Sequence, residues 1–178
     1  MRPVISHLYE EPETHRWIIQ TNEEHTHGVA LLASQFAGAF GMSEWGKVLG
    51  LLHDKGKETN AFQQHIRKES GYNPDIKVEG DYHHAYIGGI LARQCYGKSF
   101  DSFFANPIVS HHTGLHDADE IGAILQKHIP AEVDTNIKKE SLNRPPFQTK
   151  DPDFHHLSRM LFSCLVDADY LDTEAFMD

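Results

Sequence analysis

Only two cysteines, Cys95 and Cys164, occur in the 178 residues, far apart and each in an apolar, helix-like stretch. Two such thiols form neither a metal knuckle nor a disulfide framework; a pair of buried thiols in a reducing compartment is expected. Long apolar runs are missing too. Nothing approaches the roughly 20 residues that cross a bilayer, and the opening MRPVISHLYEEPETHRW is broken by charge and proline, unlike a secretory leader. The expectation is a cytoplasmic protein with no membrane partner. Basic residues are also scarce, 16 against 26 acidic ones for a formal net charge of −10. A surface that grips nucleic acid unaided draws on clustered Lys and Arg, so that class is disfavoured. An acidic chain can still act on phosphates where bound cations supply the positive charge.

What the chain does have is histidine, 14 of them, several paired or set in apolar surroundings. Its length suits one domain with a real core, here residues 1–178, with no repeat, low-complexity tract or linker. Residues 3–9 and 16–20 read as two short strands around EEPET, a small hairpin. The rest reads as helices. Asn22 caps a first helix that buries Val29, Leu32, Ala33, Phe36, Ala37 and Phe40. Ser43 caps a second, with Trp45, Val48, Leu49 and Leu52 inward, ending near His53-Asp54. Asn60 opens a third, closed by Gly71. A fourth runs from about His84 to Tyr96, with Gly88 and Gly89 permitting close packing. Pro107 suits the first turn of a short helix through His112. Residues 118–128 and 131–141 are expected to be helical, NRPPFQTKDPD a loop, and the last helix, from about Asp153, should turn Phe154, Leu157, Leu161 and Leu165 inward. The fold class is all-α.

The chemistry starts at LLHDKGK, residues 51–57, where His53 and Asp54 follow an apolar helix. A buried carboxylate is costly unless a cation or several donors compensate it. Alone, the pair is as well explained by an ion pair at a helix end. Its company changes that: His25 in the first amphipathic helix, His84 at the start of the fourth, His111 and His112 closing NPIVSHH, and Asp167 and Asp169 within FSCLVDADYL. Any one of these histidines is more often a hydrogen-bonded structural residue than a ligand; the joint pattern is harder to explain so. Imidazoles with two or more carboxylates suit a pair of divalent transition metals, one carboxylate bridging, and two such ions can activate water and stabilise the leaving oxygen of a phosphodiester. Periodicity leaves His25 against His27, His83 against His84, and Asp167 against Asp169 open. His7, His15, His65, His116, His128, His155 and His156 lie in polar contexts and read as surface or structural.

The order His25, His53-Asp54, His84, His111-His112 and a C-terminal Asp resembles the HD phosphohydrolase superfamily, and more narrowly the HD nuclease domain of the CRISPR-associated helicase-nuclease, the type I interference effector. EEHTHGVALLA, LLHDKGKETNAFQQHI, HHAYIGGILA, IVSHHTGLHD and RMLFSCLVDADYLDTE carry the likeness over residues 23 to 174. The resemblance implies an HD-domain helical bundle and selects His25, His84 and Asp169. One ion would take His25, His53, Asp54 and Asp169; the other would take Asp54, His84, His111 and His112, with Asp54 as the bridge. It implies iron, manganese, cobalt or nickel, with zinc unsurprising in a purified sample. It further implies hydrolysis of single-stranded DNA, a helicase domain in the same or a partner chain, and work with a CRISPR RNA-guided surveillance complex. In such proteins a helicase domain follows, so the chain is expected to be a fragment or a stand-alone subunit. Asp54 is the expected catalytic centrepiece; Lys57 is either a charge partner for the scissile phosphate or an exposed lysine in a turn, and Thr113 a helix cap rather than a phosphate donor. Two rivals stand: an HD enzyme acting on a nucleotide or cyclic dinucleotide, which shares the ligands but needs a closed pocket, and a non-catalytic module that metals or ion pairs merely hold together.

Overall fold

The computed structural model describes residues 3–145 and 151–178. Strands β1 (Ile5–Glu10) and β2 (Trp17–Thr21) pair antiparallel. Ile5 faces Thr21 while His7 faces Gln20, so Ser6 has no partner opposite it. That bulge breaks the in–out alternation, and Ile5 and Ser6 are both buried.

The remaining elements are helical. They are α1 (Asn22–Gly38), α2 (Ser43–Leu52), a 3₁₀ turn (Lys55–Glu58), α3 (Asn60–Glu69), α4 (Ala85–Tyr96), a second 3₁₀ turn (Lys98–Phe100), α5 (Ala105–Ser110), α6 (Ala118–Ile124) and α7 (Asp151–Met177). The caps differ from the expected ones by one residue. Thr21 caps α1 through a reciprocal box with Glu24. Asn22, relieved of that task, turns inward and donates to the Asp54 carbonyl at 3.1 Å. Thr59, not Asn60, caps α3, and Met42 precedes α2 with no side-chain cap.

The main core gathers Val29, Ala33 and Ala37 of α1, Trp45, Val48, Leu49 and Leu52 of α2, and Leu157, Leu161 and Leu165 of α7. Leu32, Phe36 and Phe40 are half-buried against it. Phe154 departs from expectation: it stays exposed, touching Phe103 only at the rim. Cys164 is buried but Cys95 only half so. The close packing expected of α4 is present. A Cβ on Gly88 would lie 2.0 Å from the Leu52 carbonyl oxygen, so the glycine lets α4 ride against the end of α2.

Residues 131–141 form no helix. Their Val-Asp-Thr-Asn-Ile stretch is poor in helix formers, and their amides find other partners: Asp134 N–H donates to Glu58, and Glu140 N–H to the Tyr96 hydroxyl. The segment is a turn followed by irregular chain, anchored by buried Val133. The expected 143–153 loop stops sooner, because α7 already begins at Asp151; residues 146–150 lie outside the described chain.

Candidate metal centre

Most of the candidate ligands sit where a helix starts or stops. His25 lies in the second turn of α1, while His53 caps the C-terminus of α2 with Asp54 just beyond. His84 precedes the first residue of α4, His111 follows the last residue of α5 with His112 next, and Asp169 sits in α7. At such ends the backbone leaves the helical path, so neighbouring side chains can be steered to one point.

They converge on Asp54, and its two oxygens face different company. Oδ2 lies 3.3 Å from Nε2 of His25 and 3.3 Å from Nε2 of His53. Those nitrogens also approach Asp169 Oδ1, at 3.1 and 3.7 Å. Oδ1 lies 3.2 Å from Nε2 of His84 and 3.6 Å from Nε2 of His111, and His84 meets His112, Nε2 to Nε2, at 3.2 Å. The result is two four-residue sets sharing Asp54: His25, His53, Asp54 and Asp169, then Asp54, His84, His111 and His112. His25, His53 and Asp54 are essentially inaccessible, whereas His112 is exposed and forms the open edge. His27, His83 and Asp167 all point to solvent.

The imidazoles are oriented from behind. His53 Nδ1 is 2.8 Å from the Gly50 carbonyl, and His111 Nδ1 is 2.6 Å from that of Ile108. A carbonyl can only accept, so each Nδ1 carries the proton and donates, leaving Nε2 for the centre. His25 donates likewise from Nδ1, to the Asp172 carboxylate at 2.8 Å. Yet Nε2 of His25 faces Nε2 of His53 at 3.3 Å, and two lone pairs cannot meet that closely without a positive species between or beside them. Donor atoms about 2.0–2.2 Å from a common ion stand roughly 3.0–3.6 Å apart, and the separations above fall at or close to that range. Neither Asp54 oxygen has a well-aligned hydrogen bond, although both are buried. The donor set and its spacing fit metal ions, and these buried clusters can hold them.

Without an ion, protons and Lys57 balance the charge. Burial resists charging His53, but the Asp54 charge and the Asp169 hydrogen bond outweigh it and hold the imidazole at about 10. His25 is raised as well, since its bonds to Asp169 and Asp54 overcome burial. Burial likewise resists ionising Asp54 and Asp169. The charges of His53 and Lys57 nevertheless hold Asp54 far below the ordinary carboxylate range, and bonds from His25 and His53 lower Asp169. On the open side, burial and then the charges of His111 and His84 push His112 down to about 4, and burial lowers His84. The His25 set is therefore proton-loaded, whereas on the open side His84 and His112 are disposed to stay neutral and ligate.

Lys57 differs from the expectation of a phosphate partner. The 3₁₀ turn after Asp54 swings it inward, where it is 5% exposed. Its Nζ lies 2.6 Å from Asp54 Oδ2 and donates to Ser6 Oγ at 3.0 Å. Thr113 is exposed and stays local. The sequence reading missed Asp172, Gln20, Ser6 and His7. His7 is not a surface residue: its ring stands edge-on to His25 with centroids 4.6 Å apart. Burial and then the Lys57 charge lower it to about 4. Asp172 carried a usable signal, being one helical turn after Asp169 and so on the same face of α7. The hairpin residues carried none, because their approach is tertiary.

A cavity of about 700 Å³ opens beside Asn22, Thr26, Leu52, Lys55 and Ile137, and no ligand-competent residue of the centre lines it. The ligand-competent side chains gather at the His/Asp cluster instead. No helix among the described residues is long and apolar enough to cross a membrane. No family model matches the sequence, and no curated protein matches it.

Proposed function

We propose that this chain is a metal-dependent phosphodiesterase of the HD type, hydrolysing phosphodiester bonds of single-stranded DNA. The observation that carries the reading is the division of Asp54, with one oxygen toward each histidine set and each set complete enough to ligate. Two divalent ions held there would supply a polarised water and positive charge opposite the departing oxygen.

The protein's own groups do the rest. Asp172 and two backbone carbonyls hold the Nδ1 side of His25, His53 and His111, so that their Nε2 atoms are the ones turned to the centre. Lys57 offsets the negative charge of Asp54 from the side away from His84 and thereby keeps a buried carboxylate ionised. His84 and exposed His112 border the approach, and this open edge favours an extended strand over a ligand that must be enclosed. Iron, manganese, cobalt and nickel match the imidazole and carboxylate donors. The role in CRISPR interference, with a helicase and an RNA-guided complex as partners, rests on the motif resemblance. A separate helicase would also provide the basic path that a chain of net charge −10 lacks.

The test is cleavage of circular single-stranded DNA across a series of divalent cations, run beside mononucleotides and cyclic dinucleotides. Metal-stimulated cutting of the circle, abolished by Asp54→Ala, is expected. Turnover of the nucleotides alone would move the assignment to a small-molecule phosphohydrolase, and no turnover of any kind with metal bound would make the centre structural.

A further inference from the structure

Resting on the metal reading above, we propose that Asp172, clamped by the N-terminal hairpin, is the positioning residue of the ion site formed by His25, His53, Asp54 and Asp169. Asp172 Oδ2 accepts from His25 Nδ1 at 2.8 Å and from Gln20 Nε2 at 2.8 Å. Gln20 uses its other amide atom as well, since Oε1 lies 2.8 Å from His7 Nδ1. His7 and Gln20 are directly paired across the hairpin, and the His7 ring closes on the edge of His25 at an interplanar angle of 89°. His25 is thus held from two directions, by a carboxylate on its outer nitrogen and a ring on its edge.

Space for this arrangement is reserved in α1. A Cβ on Gly28 would fall 1.9 Å from Asp172 Oδ1. A side chain at that position, one turn beyond His25 in α1, would push the Asp172 carboxylate out of its present place beside His25. The bulge at Ser6 serves the same corner, because it buries the hydroxyl that receives Lys57. The small hairpin is therefore part of the centre rather than an appendage. It buttresses one ion site rather than the other: His111 leans on a backbone carbonyl of its own helix, and among the described residues the hydrogen bonds and ring contacts of His84 and His112 go to elements other than the hairpin.

An acceptor behind a ligating imidazole is typically worth about 10–100-fold in metal affinity. Asp172→Leu removes the acceptor at similar volume, and Asp172→Asn keeps an acceptor without the charge. Cobalt or manganese would be titrated into each variant by calorimetry, with ring nitrogens followed by ¹⁵N NMR before metal is added. Asp172→Leu should weaken one of two binding events about 10–100-fold and leave the other unchanged, Asp172→Asn should fall between it and wild type, and Gln20→Ala should weaken the same event less. In the metal-free protein, at a pH high enough for His25 to be neutral, Asp172→Leu should also erase the preference of its ring for a proton on Nδ1. Two unchanged binding events overturn the proposal, as does equal weakening of both. If wild type takes up no ion, the metal reading falls separately, and the proposal stands or falls on the neutral His25 ring: an unchanged preference for Nδ1–H in Asp172→Leu, at a pH high enough to remove one of the two ring protons, overturns it. Should the leucine variant fail to fold, wild-type behaviour of Asp172→Asn together with Gln20→Ala overturns it equally.

Discussion

Replacing Lys57 by methionine isolates the charge accounting at Asp54. The ammonium is 2.6 Å from Oδ2, both groups are buried, and no bulk water screens them. Breaking a buried pair by removing one partner costs about 3–5 kcal/mol. Here the lower end applies, roughly 3 kcal/mol, because protonated His53 still faces the carboxylate. For a chain of this size each kcal/mol shifts Tm by about 2–4 °C, so the metal-free variant should melt about 6–12 °C below wild type. Divalent ions should then restore more stability to the variant than they add to wild type, since they replace the missing charge as well as bind. Binding at a hundred times Kd adds about 2.7 kcal/mol in either protein, and the excess gain in Lys57→Met is the quantity of interest. Thermal melts in EDTA and in manganese or cobalt measure it. An unchanged Tm in EDTA, or equal metal-induced gains, would refute the claim that Lys57 stands in for cationic charge at this carboxylate.

Three further outcomes are expected. Because His53 is held at about 10 without metal and His25 is raised as well, an ion must displace protons, and affinity at the His25 set should rise at least about tenfold per pH unit between about pH 6 and 8; calorimetry in buffers of different ionisation enthalpy would show about one proton or more released, and pH-independent binding would contradict it. The same raised His53 stabilises the metal-free fold fully below about pH 6.5, and that contribution should disappear as pH climbs toward 10, read from melts in EDTA. His112→Ala, at an exposed position, should change Tm by no more than about 2 °C while abolishing one ion, whereas Gly88→Ala, pressed against the Leu52 carbonyl, should cost about 1–3 kcal/mol and lower Tm with little effect on ion count.

Much of the fold was legible because the pattern is strong where burial is one-sided. Trp45, Val48, Leu49 and Leu52 recur at helical spacing and all face the core. Residues 131–141 misled because their few apolar positions, Val133 and Ile137, fit a helical period while the residues between them favour other backbone shapes. The caps slipped by one place since Thr21 and Asn22, like Thr59 and Asn60, are adjacent cap formers, and the tertiary need for Asn22 at Asp54 is invisible locally. In the centre, residue types and order pointed to the seven-residue set, but not to which member of His25/His27, His83/His84 or Asp167/Asp169 turns inward. Those choices depend on how α1 and α7 face each other. The inward turn of Lys57 depends on the helix breaking into a 3₁₀ turn after Asp54, which no periodicity in HDKGK foretells.

Counting ions on the intact chain would judge the account most sharply. Metal analysis by mass spectrometry on protein reconstituted with manganese or cobalt and freed of loosely held ions should return two per chain for wild type, one for His112→Ala, and none for Asp54→Asn with its fold preserved. Two ions retained by a folded Asp54→Asn variant, or none bound by wild type, would contradict it.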